Sequence, residues 1–150
     1  MRRSILAVSI AALAHIPAVA EQNATAEWKC SQSAAQLDAF QVIVGNVTVN
    51  NITLDERNFK VGMDFSDKRE TPNILLKYSV ANRSDKVVET SVELVAFDGD
   101  KLLFALNGLV FNSLNGIPSH GTADGQGQVH SAAGELRRAT SFCVRVNVAQ

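Results

Sequence analysis

The sequence predicts an all-β protein, an immunoglobulin-like antiparallel β-sandwich of about seven strands. Three observations carry this. Apolar residues recur with period two from Phe40 onward, the period of strands with one buried face. Turn-forming clusters separate these runs at short spacing, and no helical crossover segment lies between them. The 150 residues, 46% hydrophobic and 19% charged, fit one globular domain with one core.

Residues 1–20 read as a secretory signal peptide. Met1-Arg2-Arg3 supplies the positive start, Ser4 to His15 is a mostly apolar run, and Ala18 and Ala20 place small residues before a cleavage site. His15 and Pro17 interrupt the run before the ~20 apolar residues of a membrane-spanning helix are reached, which argues against an uncleaved anchor. Glu27-Trp28-Lys29 before Cys30 lacks the small apolar residues of a lipidation signal. Residues 21–39 form an N-terminal segment in which Ser31 to Ala39 has the composition of a short helix.

The domain spans 40–150. Its first strand is expected over Phe40 to Val49. Phe59, Val61, Met63 and Phe65 then alternate with charged residues or glycine, with the odd positions inward. Ile74, Leu76, Tyr78 and Val80 form the next inward set, and Val88, Thr90, Val92, Leu94 and Ala96 the one after. Asn82-Arg83-Ser84-Asp85-Lys86 and Asp98-Gly99-Asp100 supply the turns, being residues that bond their own backbone and tolerate turn geometry. Leu102 to Phe111 is apolar on both faces, which points to a central strand or two short strands bent at Asn107-Gly108. A Gly-rich passage from Asn115 to Gly127 reads as a mobile loop before a weak strand at Gln128 to His130. The final strand directs Phe142, Val144, Val146 and Val148 inward.

Cys30 and Cys143 are the only cysteines, and export routes them to an oxidising compartment where a disulfide is expected. The bridge closes a loop of 143 − 30 = 113 residues, worth about 4 to 5 kcal/mol by chain entropy. A redox pair normally shows close C-x-x-C spacing instead. Parity sets Cys143 outward, between two inward residues, so residues 28–37 are expected to be strapped to the outer face or edge of that sheet, with Trp28 covering an edge or apolar patch.

The stretch from Leu76 to Ala105 resembles the exported bacterial β-sandwich domains of the FxLYD type. It has Val80-Ala81-Asn82-Arg83-Ser84 at a strand-to-turn position, then Val92-Glu93-Leu94-Val95-Ala96-Phe97-Asp98 followed by glycine. Leu94 stands where the family has its first aromatic and Ala96 where it has leucine, so Phe97 and Asp98 are the similar part. The resemblance implies a fold and an exported location, and no catalytic residues.

Loss of Arg2 and Arg3 takes the basic residues from 14 to 12 against 15 acidic ones, a net charge of −3. The remaining cations are scattered rather than arranged in a stripe with aromatics, which disfavours nucleic acid. His120, Asp124 and His130 are ligand types suited to zinc or copper, and they define the alternative function, an exported metal-binding protein. Solvated loop histidines are the plainer account. Ser119-His120 with Asp124 evokes a catalytic triad, yet no G-x-S-x-G elbow surrounds Ser119. Gly121, Gly125 and Gly127 lack the strand–loop–helix context of a phosphate cradle. The acidic pairs Asp64/Asp67 and Asp98/Asp100 could serve calcium or acid catalysis, but the second already has a turn to explain it. Asn23, Asn46, Asn51 and Asn82 head N-x-S/T triplets, informative only in a eukaryotic host. With few convergent polar groups, the sequence points to a non-enzymatic binding or accessory protein, periplasmic or extracellular, with no cofactor and an unidentified protein partner. The candidate contacts are the strand edges or the loop bearing Asn115, Ser119, Gly121 and Gly125.

Overall fold

The structure, a computed structural model, describes residues 23–60, 70–110 and 116–150. The signal peptide, Asp64, Asp67, Asn115 and the strand predicted beyond residue 60 lie outside the described residues.

The chain is all-β and antiparallel. In chain order the strands are β1 (Ala24–Thr25), β2 (Lys29–Ser31), β3 (Val42–Val44), β4 (Val47–Lys60), β5 (Glu70–Asn82), β6 (Glu89–Asp98), β7 (Lys101–Val110), β8 (Thr122–His130) and β9 (Ser141–Ala149). A one-turn 3-10 helix at Ala34–Gln36 and a short helix α1 at Glu135–Arg138 are the helical elements among the described residues. The strands hydrogen-bond in the order β1-β9-β6-β7-β8-β5-β4-β3, with β2 also pairing β9. This single sheet bends round one core until β3 approaches β9, so it is nearly closed. The β3-β4-β5-β8 half is joined to the β7-β6-β9 half through a ladder of two pairs, Leu109 with Gln126 and Val110 with Gly125.

The inward sets expected on three strands are all found. Ile74, Leu76, Tyr78 and Val80 of β5, Val92, Leu94 and Ala96 of β6, and Phe142, Val144, Val146 and Val148 of β9 are buried together. Leu37, just after the 3-10 turn, is also fully buried in this core, so the N-terminal segment is built into the domain. Gly99, with φ +59°, takes the left-handed position in the tight β6–β7 turn, a conformation that penalises any residue with a Cβ.

The region from Phe40 to Phe65 departs from expectation. Instead of one strand over Phe40 to Val49, a turn at Gly45-Asn46 separates β3 from β4, and β4 continues for 14 residues. A bulge lies between Asn50 and Thr53, with Asn51 at φ +52°. A bulge adds one residue to one strand and so moves the inward set from odd to even positions. Val47 and Val49 are buried before it and Ile52 after it. Phe59, expected inward, is therefore on the outward set and 39% exposed.

The Gly-rich passage is also corrected. It is not a loop through Gly127, because residues from Thr122 onward form β8, paired along β5 from Ala81 to Asn73. The glycines lie where neighbours come close. A Cβ on Gly125 would stand 2.1 Å from the Tyr78 ring, and one on Gly127 would stand 2.4 Å from the Asn107 carbonyl. β7 crosses Asn107-Gly108 without a break as one central strand.

Candidate functional site

At the N-terminal edge, Cys30 and Cys143 are bridged and stand directly opposite each other on β2 and β9. Cys143 is half-buried between fully buried neighbours, on the outward face as parity requires. The strap is an edge pairing, with β1 and β2 extending the sheet beyond β9. Trp28, 41% exposed, lies against Arg145, whose guanidinium is 4.7 Å from the ring centroid. Arg145 also bonds Glu93 across the β6–β9 pair, and Glu93 accepts a further bond of 2.9 Å from Asn147. This is an outward, half-buried network that fastens the terminal segment to the sheet.

The Ser119-His120 segment serves the turn after β5. Ser119 Oγ donates to the Ser84 carbonyl at 3.0 Å, and His120 Nε2 lies 3.0 Å from Asp85 Oδ1. Asp124, on β8, accepts from Ser79 Oγ at 2.8 Å on the neighbouring strand. Ser119, His120 and Asp124 are thus engaged separately, and the nucleophile–base–orienter order of a triad is not assembled. His130 sits six residues beyond Asp124 on the same strand, about 20 Å away at 3.4 Å per residue. The structure does not bring His120, Asp124 and His130 together, and among the described residues no group of three or more His, Cys, Asp or Glu side chains could hold a metal ion. Gly121 closes the turn, with its N–H donating to Pro118 and its carbonyl accepting from Asn82 N–H.

Two buried polar residues have surroundings that the sequence reasoning did not assign to them. Asn82, 1% exposed, donates through Nδ2 to the carbonyls of Lys86, Ile117 and Pro118 and accepts at Oδ1 from Ser84 N–H and Oγ. It clamps the β5–β6 turn to the segment entering β8. This also takes Asn82 out of reach of glycosylation in the folded protein. Tyr78 is 2% exposed, and its hydroxyl has no hydrogen-bond partner among the described residues. Burial pushes its phenol above the usual tyrosine range. The signal for both was an alternating strand that places a polar-tipped residue on an inward position, which periodicity by itself reads as core.

An open groove of about 700 Å³ runs over β5 and β8, lined among others by Asn51, Lys77, Ser79, Thr122, Asp124 and Gln126. Its lining is mixed, with Ile117, Pro118 and Ala123 beside the polar residues, and Ser79 and Asp124 within it bond each other. A different feature lies at the far side of the same half-sheet. β3 covers only Val47–Val49 of β4, whereas β5 pairs β4 to Lys60. Among the described residues no strand and no loop backbone bonds to the second edge of β4 from Thr53 to Lys60. The α1 segment reaches β4 through a side chain, Gly134 N–H donating to Glu56 at 2.6 Å, and borders Asp55 and Asn58 without a backbone bond to that edge among the described residues.

Comparison of the chain with protein-family models, with curated proteins and with solved structures finds no match.

Proposed function

We propose that the protein is an exported, non-enzymatic binding or accessory module that engages a protein partner by strand pairing at the open edge of β4. The open edge carries the reading: an edge about eight residues long presents unpaired N–H and C=O groups, the template that strand-adding partners use. The apparent leader and the Cys30–Cys143 bridge support an oxidising destination. Among the described residues no helix is long and apolar enough to cross a membrane. The separate engagement of Ser119, His120 and Asp124 favours binding over catalysis.

The test is a photo-crosslinking residue at position 57 in cells that express the full chain. A defined protein crosslinked there, and not from a control position at Lys77, which shares the outward face but lies on β5 inside the half-sheet and away from the edge, is the expected result. Equal yields from the two positions would remove the edge as the binding site.

A further inference from the structure

We infer that the partner at the β4 edge is a second copy of this chain, paired antiparallel about a two-fold axis at Asn58. This deepens the proposed function and rests on it.

The argument starts from symmetry. A two-fold axis normal to a sheet keeps each side chain on its own face, so the residue on the axis must pair with itself and residues equally spaced from it pair across. The sequence of the edge then discriminates between registers. An axis on Asp55, Glu56 or Arg57 sets like charges directly against each other, which is destabilising. An axis on Asn58 sets a neutral amide, able both to donate and to accept, against its own copy. In that register Arg57 stands opposite Phe59 twice, a cation facing an aromatic that is 39% exposed in the isolated chain. Glu56 stands at the register position opposite the lysine at position 60, again twice.

The edge carries the charged residues Asp55, Glu56 and Arg57, side chains of the kind that guard edges against pairing, yet this register sets none of them opposite a like charge. Thr53 to Lys60 contains no proline, and its bulge lies behind it, between Asn50 and Thr53. Arg57 and Asp55 bond each other along the strand rather than pointing charge into the edge. Pairing two such edges continues the sheet from one β5 through both β4 strands to the other, and satisfies backbone groups that otherwise face water.

Sedimentation equilibrium of the full, unreduced protein over a range of concentrations tests this, together with two variants. The expected result is a monomer–dimer equilibrium whose dissociation constant rises roughly tenfold in Arg57→Glu, because three successive acidic residues then face the partner edge. Position 57 is exposed, so an unchanged melting temperature in that variant shows that folding is intact. Asn58→Cys is expected to form an intermolecular disulfide, since residues opposite across a ladder have Cβ atoms about 5 Å apart. Arg57→Cys faces Phe59 instead and is expected not to crosslink with itself. A protein that stays monomeric at every concentration overturns the inference, as does a dimer indifferent to Arg57→Glu whose Asn58→Cys form does not link. Should a monomer still crosslink a different protein from position 57, this inference falls and the binding role of the edge stands. With neither dimer nor edge-specific crosslink, both fall.

Discussion

The Asn82 amide makes five hydrogen bonds in a site that is 1% exposed. Replacing it with alanine removes one donor from each of the three carbonyls, which keep Ser84 Oγ, Val88 N–H and Gly121 N–H, and leaves Ser84 N–H without its acceptor, so Asn82→Ala is expected to lower stability by about 1 to 3 kcal/mol in chemical denaturation. Tyr78 presents the opposite case. Its hydroxyl is buried without a partner among the described residues, so Tyr78→Phe is expected to be neutral or to stabilise by up to about 1 kcal/mol. The ring itself lies over the cross-strand Gly125, covering a position that contributes no side chain of its own. Gly125→Ala pushes a methyl into that ring and is expected to cost about 1 to 3 kcal/mol. Because Tyr78 is the only tyrosine, its ionisation can be followed by absorbance. A phenol whose folded pKa is raised contributes stability that is whole below the unfolded value of about 10 and declines as pH rises above it. Tyrosinate is therefore expected to appear together with unfolding; its appearance in a chain that stays folded near pH 10 would contradict the burial.

Among the elements, β4 and β8 carry the lesson of parity. Period two locates β5, β6 and β9 because each runs without interruption on its inward side. In β4 the extra residue at Asn51 changes the inward parity part-way, so two half-patterns read as two strands with a gap, and Phe59 is assigned to the wrong face. β8 is invisible for another reason. Gly125 and Gly127 occupy inward or close-approach positions because the Tyr78 ring and the β7 backbone already fill the space, which removes the apolar residues that would have marked a strand. The bridge belongs to the same scale. β1 and β2 add two and three residues to the β9 edge, too few to hold by their ladders alone. Reduction, or the double change Cys30→Ser with Cys143→Ser, is expected to destabilise the protein by about 2 to 5 kcal/mol. Hydrogen exchange should quicken first in residues 24–31. Uniform acceleration over the whole sheet would mean that the strap is not a separate weak unit.

Across the whole molecule, one sheet encloses one core and joins the two ends of the described chain, Ala24 pairing with Val148. Pairings this distant must be closed before they are rewarded, so refolding with the bridge intact is expected in milliseconds to seconds. Equilibrium unfolding should show a single transition by fluorescence and circular dichroism alike; two separated transitions would mean that the β3-β4-β5-β8 and β7-β6-β9 halves fold independently. The sequence by itself determined the all-β class, the inward faces of β5, β6 and β9, the β6–β7 turn and the cysteine pairing, because alternation, turn chemistry and cysteine count are local or nearly context-free signals. Only the tertiary structure decided which strands are neighbours, that Ser119, His120, Asp124 and His130 do not share a site, and that β4 runs past β3 with no strand paired to that edge among the described residues. Those outcomes depend on register and closure, set by the packing of residues far apart in the chain, and period two is blind to both.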